Sequence, residues 1–305
     1  MSITLYEVGP RDGLQNESAR LPVDDKVRLI AALADAGLER IELGSFVRPD
    51  WIPQLADTDE VARRVPKGPR YTALVPNRHG LERAVAAGLR EVAVFMSASE
   101  THNRKNTNKT IAQSLEVFGE MVPAAKKQGL FVRAYLSTVW GCPYEGKVDP
   151  RRALEISLRL GEMGCDEISL GDTIGVGNPV QTRKILELFL PQIPAPRLAL
   201  HMHDTHGTAL ANCLVGMEMG ISIFDTSIGG MGGCPYAPGA AGNLATEDLA
   251  SVLADMGVET GIDLEKLIEA GWLAQQLVGR QLPGRRLQAA LGRRTPGEAR
   301  EGTAT

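Results

Sequence analysis

His201 and His203 stand two residues apart in the run Leu198-Ala199-Leu200-His201-Met202-His203-Asp204. Side chains on a strand alternate faces, so residues i and i+2 point the same way. If this run is a strand, both imidazoles face one side and can grip one cation. Asp12, in Glu7-Val8-Gly9-Pro10-Arg11-Asp12-Gly13, is the natural third donor, although an adjacent Arg-Asp pair is also a common surface feature. Asn243, in Ala241-Gly242-Asn243-Leu244, offers an amide oxygen, although asparagine at this place is equally a common helix N-cap. Two imidazoles with oxygen donors suit Mn²⁺, Mg²⁺ or Zn²⁺ without deciding among them. Open positions on such an ion would take a substrate hydroxyl and carboxylate.

Cys234 sits in the glycine-flanked stretch Gly232-Gly233-Cys234-Pro235-Tyr236, where a thiol could deliver a proton. Cys165 and Cys213 lie in helix-like contexts and read as packing residues. Glu42, near the end of a β-rich run that closes at Ser45, could hold Arg11, take part in proton transfer or be a satisfied interior carboxylate.

These groups are far apart in the chain, and a repeating pattern brings them together. A helical stretch ends in glycine, two or three residues follow, and a short β-rich run begins, as around Gly37, Gly88, Gly129, Gly164 and Gly220. Glycine after a helix supplies the left-handed C′ conformation. The apolar runs after it suit strands buried on both faces. With the remaining runs there are eight candidate strands, starting near Ile3, Arg40, Tyr71, Glu91, Phe131, Glu167, Leu198 and Ile223. Amphipathic helices are predicted between them, for example over 24–36, 109–127, 150–163 and 178–190.

Alternating strand and helix implies parallel strands with right-handed crossovers. Eight such units predict a closed α/β barrel, the (β/α)₈ TIM type. An open doubly wound sheet is the competitor, but Gly171-Asp172-Thr173-Ile174-Gly175-Val176-Gly177 does not fit its G-x-G-x-x-G phosphate fingerprint. In a barrel, function sits at the C-terminal strand ends. Those ends here carry Arg11-Asp12, Ser45, Asp172-Thr173, His201-x-His203 and the glycine-rich run before Cys234. A short helical extension is predicted over 263–279, the barrel domain over 1–282, and a disordered tail over 283–305.

Of the 305 residues, 43% are hydrophobic, enough to bury a core of this size. The net charge of −4 argues against a nucleic-acid partner. The four cysteines form no C-x-x-C pair, so neither a structural zinc site nor disulfides are expected. The N-terminus shows no basic segment followed by an apolar one, and no apolar run approaches the ~20 residues of a membrane span. A soluble protein of the cytoplasm without a membrane partner is the expectation.

Taken together, VGPRDGLQNE (8–17), IELGSFVRPDWIPQLAD (41–57), SASETHNRKN (97–106), GCPYEGK (141–147), SLGDTIGVGNP (169–179), HMHDTHGTALAN (201–212) and GGCPYAPGAAGNLATEDL (232–249) resemble the hydroxymethylglutaryl-CoA lyase family, from about residue 3 to about residue 280. The resemblance implies metal ligation by Asp12, His201, His203 and Asn243, and catalytic roles for Arg11, Asp12, Glu42, Asp172, His201 and Cys234. Ser45, Asn106, Thr173 and Glu247 are similar to supporting or substrate-contacting positions, and Arg11 would also touch the substrate. It further implies an acyl-CoA substrate, a divalent metal (Mg²⁺ or Mn²⁺, with Zn²⁺ as a third choice) and a homodimer.

The implied reaction is a retro-Claisen cleavage. A base, either His201 or Asp172, takes the proton of a tertiary hydroxyl. Arg11 stabilises the thioester enolate and Cys234 protonates it, giving acetyl-CoA and acetoacetate. His206, Met231, Gly229 and Thr138-Val139-Trp140 depart from the family pattern, which leaves room for a related 3-hydroxyacyl-CoA. Aldolases and Claisen-type synthases of the same barrel superfamily are the nearest rivals, and a non-catalytic metal-binding barrel is a third.

Overall fold

Eight parallel strands close in sequence order into a barrel: β1 (Thr4–Glu7), β2 (Arg40–Ser45), β3 (Arg70–Leu74), β4 (Glu91–Ser97), β5 (Phe131–Ser137), β6 (Glu167–Asp172), β7 (Leu198–Met202) and β8 (Ile223–Thr226). The structure, a computed structural model, describes residues 2–232 and 242–293. Closure is made by β1 against β8, with Thr4 opposite Ile223 and Glu7 opposite Thr226. Every predicted strand is present and begins within a residue of its expected place.

Between the strands run α1 (Val23–Asp35), α2 (Thr58–Arg64), α3 (Arg78–Ala86), α4 (Glu100–Thr107), α5 (Ile111–Lys127), α6 (Pro150–Met163), α7 (Pro179–Phe189) and α8 (Ala209–Glu218). After β8 come α9 (Thr246–Asp255), α10 (Leu264–Val278) and α11 (Arg285–Leu291). The chain leaves α6 through Gly164 at φ 108°, a left-handed cap that a residue with a Cβ would occupy only under strain. Apolar side chains from the outer strand faces and the inner helix faces form one continuous core, with Leu29, Ile30, Leu33, Leu81, Leu160, Phe189 and Leu253 among its buried members. No helix among the described residues is long and apolar enough to cross a membrane.

The inward faces of the strands differ from that apolar shell. Register and side-chain alternation stack Tyr6, Thr72, Arg133 and Ala199 from the odd strands, with Glu42, Ala93, Ser169 and Asp225 from the even strands next to them. Arg133 is fully buried, 2.6 Å from Asp225 and 2.8 Å from Glu167. Its guanidinium lies 3.9 Å from the ring centre of Tyr6 and 4.7 Å from that of Tyr135. Arg40 forks onto the two oxygens of Glu167 at 2.7 and 3.2 Å. A buried charge is tolerated only when paired and hydrogen-bonded, and this lattice meets that condition while fixing the floor beneath the strand ends.

One boundary differs from the expected one. Within the tail predicted to be disordered over 283–305, Arg285–Leu291 form α11 and bury Leu287, while residues 294–305 lie outside the described residues. The reason is a cap supplied from a distance. Asp248, in the first turn of α9, accepts from the backbone N–H of Arg285 (3.1 Å) and Arg286 (2.6 Å), satisfying donors that a helix start leaves open. Arg285 also pairs with Asp204 at 2.9 Å. No local signal announces a cap that lies dozens of residues upstream.

Candidate active site

At the carboxyl ends of the strands lies a cavity of about 310 Å³, lined by Arg11, Asp12, Asn106, Tyr135, Ser169, Thr173, His201 and His203, with Arg48, Trp51 and Lys109 also on its wall. This is the end of the barrel where βα connections build active sites.

Arg11 and Asp12 reach it on a five-residue π-type turn, Gly9–Gly13, in which the N–H groups of Asp12 and Gly13 both return to the Val8 carbonyl (2.7 and 3.3 Å). Such single-turn wide coils recur at functional sites. The Arg11 guanidinium is held at two points, Nε on Glu42 at 2.5 Å and an Nη on Asp12 at 2.6 Å. It also lies 5.4 Å from the ring centre of Tyr135. The Arg-Asp pair is therefore built into the barrel mouth and is not a surface pair. Glu42 is fully buried and gives one oxygen to Arg11; its Oε1 has no hydrogen-bond partner among the described residues. Burial pushes the Glu42 carboxyl up, more than Arg11 draws it down.

Asp12, His201 and His203 present donor atoms that all lie within 4.8 Å of one another. Burial alone would raise the Asp12 carboxyl, but Arg11, the two histidines and the Asn243 amide outweigh it and hold the group well below the usual carboxylate range. It is ionised throughout the neutral range. Burial, with His201 and Arg11 adding to it, pushes His203 down to about 4, so its imidazole is neutral and keeps a lone pair for a ligand. Its Nδ1 is buried without a hydrogen-bond partner among the described residues, the kind of orphan that a bound cation satisfies.

Asn243 donates its amide nitrogen to Asp12 at 2.8 Å. The N-cap of α9 is Ala245, two residues on. Asn243 is thus a member of the cluster, and its carbonyl oxygen is the atom a hard cation would use. One carboxylate, two imidazoles and an amide oxygen fit a divalent metal.

Asp172 and Glu247 stand apart from this group. Asp172 is fully buried and accepts from the backbone N–H of Val176 (3.1 Å) and Gly177 (2.7 Å). Burial pushes it up to about 6, although those bonds draw it down. It braces the turn after β6 and is not among the side chains that line the cavity. Glu247 likewise does not line the cavity: both of its oxygens accept from Gly229 N–H, at 3.0 and 2.8 Å. Ser45 is buried at the end of β2, its hydroxyl accepting from Val47 N–H at 3.3 Å. Thr173 lines the cavity while its hydroxyl accepts from Thr138 N–H at 2.8 Å. Cys234 lies outside the described residues.

The turns that carry the site rest on two buried carboxyls. Glu7 accepts from Gly9 N–H (2.7 Å), Ile228 N–H (2.9 Å) and the Thr246 hydroxyl (2.6 Å), tying the turn after β1 to the turn after β8. A Cβ on Gly9 would stand 2.5 Å from that carboxyl, so the close approach requires glycine. Burial pushes Glu7 up to about 7 and, with help from Glu7 and Asp248, Glu247 up to about 8.

A group whose folded pKa is raised contributes stability that is complete below its unfolded value and is lost as pH rises through the folded one. Unfolding free energy should therefore fall between about pH 5 and pH 8, by on the order of 1.4 kcal/mol per pH unit for each such group while it holds its extra proton. Glu247→Gln, neutral in both states, should remove about one proton's worth of that slope. Urea unfolding of parent and variant at several pH values checks this, and parallel slopes would contradict it.

Sequence reading missed three groups of the inner wall: Tyr135, Ser169 and Asp225. Each lies on the same strand face as a residue it did single out or as a neighbour in the barrel layers, and alternation applied to β5, β6 and β8 would have placed them.

Comparison with known proteins agrees with this geometry. The family model described as HMGL-like matches residues 2–273. Hydroxymethylglutaryl-CoA lyase of Bacillus subtilis is 51% identical, over 94% of this chain and 96% of its own length. The mitochondrial hydroxymethylglutaryl-CoA lyase of Bos taurus is 50% identical, over 94% of this chain and 89% of its own. A solved structure of an HMG-CoA lyase from Acinetobacter baumannii, in complex with coenzyme A and 3-methylmalate, superposes with a TM-score of 0.90 at 40% identity, covering 97% of this chain and 96% of that one. With the barrel, the Arg11-Asp12 turn and the His201-x-His203 strand end all in place, the chain belongs to the HMGL-like family.

Proposed function

We propose that this chain is a divalent-metal-dependent carbon–carbon lyase that cleaves 3-hydroxy-3-methylglutaryl-CoA into acetyl-CoA and acetoacetate. The observation that carries the reading is the placing of the Arg11 guanidinium against Asp12, in one cavity with His201 and His203. The relatives named for this reaction support it, as does the one solved with coenzyme A and a hydroxy dicarboxylate in place.

Asp12, His201, His203 and Asn243 would hold the ion; Mg²⁺ and Mn²⁺ suit this mixed set, and Zn²⁺ is the third choice. When bound, it supplies Lewis acidity and a template for the substrate's hydroxyl and carboxylate. The sequence offers two acceptors for the hydroxyl proton, His201 on the cavity wall and Asp172 in the turn after β6. As that proton leaves, the C2–C3 bond breaks and its electron pair moves into the thioester, which becomes an enolate. Arg11, rigid between Glu42 and Asp12, puts a fixed positive charge where the enolate oxygen develops, at no reorganisation cost at that moment. A proton returned to C2, the role assigned to Cys234 on sequence grounds, completes acetyl-CoA.

The test is acetyl-CoA release from 3-hydroxy-3-methylglutaryl-CoA with Mg²⁺ or Mn²⁺ and a thiol reductant, against an EDTA control. Fast release that EDTA abolishes is the expected result. Release from other 3-hydroxyacyl-CoA thioesters only would move the acyl assignment, and EDTA-insensitive release would remove the metal from it.

A further inference from the structure

We infer that Asp225, on β8, is a positioning residue for His201: its carboxylate takes the imidazole by Nδ1 and leaves Nε2 as the atom offered to the cation. The inference deepens the proposed metal reading of Asp12, His201 and His203, and rests on it.

The two histidines of the cluster are held differently. His201 Nδ1 lies 3.1 Å from Oδ2 of Asp225. His203 Nδ1 is buried with no hydrogen-bond partner among the described residues. Asp225 is itself over-determined. Its Oδ2 also accepts from the Ser169 hydroxyl at 2.9 Å, and its Oδ1 accepts from Arg133 at 2.6 Å. Arg133 has no freedom to follow a moving partner, because it is fully buried between the Tyr6 and Tyr135 rings and is paired to Glu167 on its other side.

Asp225 is ion-paired to the buried Arg133 guanidinium at 2.6 Å and also takes the Ser169 hydroxyl at 2.9 Å. A carboxylate paired in this way only accepts hydrogen bonds. His201 Nδ1 is therefore the donor, and the ring's lone pair is left on Nε2. A carboxylate behind a ligating imidazole fixes both its tautomer and its rotation. The buried ion lattice on the barrel floor thus has a use beyond closing the barrel: it sets the orientation of one ligand at its mouth.

Two measurements on the full chain test this. The first is ¹⁵N NMR of the histidine ring nitrogens in the metal-free parent protein, which needs no variant to fold. The expected result is the Nδ1–H tautomer for His201; an Nε2–H tautomer would overturn the inference. The second is Mn²⁺ affinity by EPR for the parent, Asp225→Asn and the milder Ser169→Ala, with folding of each checked by circular dichroism. Asp225→Asn should bind Mn²⁺ about 10–100-fold more weakly, and Ser169→Ala should fall between it and the parent. Equal affinity in parent and Asp225→Asn would overturn the inference alone. A parent that binds no Mn²⁺ would overturn the metal reading and this inference with it.

Discussion

His203→Ala should bind Mn²⁺ more than ~100-fold more weakly than the parent, a larger loss than changes behind the ligands cause, and its turnover should fall below detection at ordinary metal concentrations. The reason lies in the donor set. Asp12 is ionised and His203 is neutral at pH 7, so neither needs to shed a proton before binding, and each contributes its full share. The His203 ring is 6% exposed, and alanine would leave a cavity that water can enter but that offers no replacement nitrogen. The two losses should go together. A variant that keeps tight Mn²⁺ binding would remove His203 from the ligand set, whatever its activity.

Arg11→Met should separate binding from chemistry. The guanidinium is not a metal donor, so Mn²⁺ affinity should stay within several-fold of the parent, the small change arising because Asp12 loses the positive neighbour at 2.6 Å that keeps it ionised. Turnover should fall by ~10²–10³ or more, the scale of losing a fixed charge that faces a developing oxyanion. Arg11→Lys should rescue little. One ammonium cannot reach Glu42 and Asp12 with the forked geometry that holds the guanidinium still. The check is kcat and Mn²⁺ affinity measured side by side, and an Arg11→Met protein within ten-fold of parental turnover would contradict the role.

Much of this site is legible in the residues themselves. The pair His201 and His203 reads as one face of a strand because alternation is a property of every strand, and the structure puts both rings on the cavity. Arg11 and Asp12 carry no periodic signal; as a dipeptide they look like any surface ion pair, and only the resemblance distinguishes them. Asp172 and Glu247 are acids near strand ends or helix starts, and the structure adds what sequence does not show: each accepts from backbone N–H groups of a turn.

Whether an acid faces the lumen or braces a turn depends on where other strands' loops fall, which local sequence does not encode. Alternation places Asp225 and Arg133 on the inner strand faces, but not their 2.6 Å contact across 92 residues of chain, which is where their value lies. The helix α11 was missed because its cap, Asp248, comes from another element.

The central claim is that the cavity breaks a carbon–carbon bond through a thioester enolate. It is tested most directly by running the reaction on 3-hydroxy-3-methylglutaryl-CoA in D₂O with Mg²⁺ and analysing early products by mass spectrometry. The account predicts acetyl-CoA carrying one deuterium in its methyl group, with an equal amount of acetoacetate. Free 3-hydroxy-3-methylglutarate with no acetyl-CoA, or acetyl-CoA formed without deuterium, would contradict it.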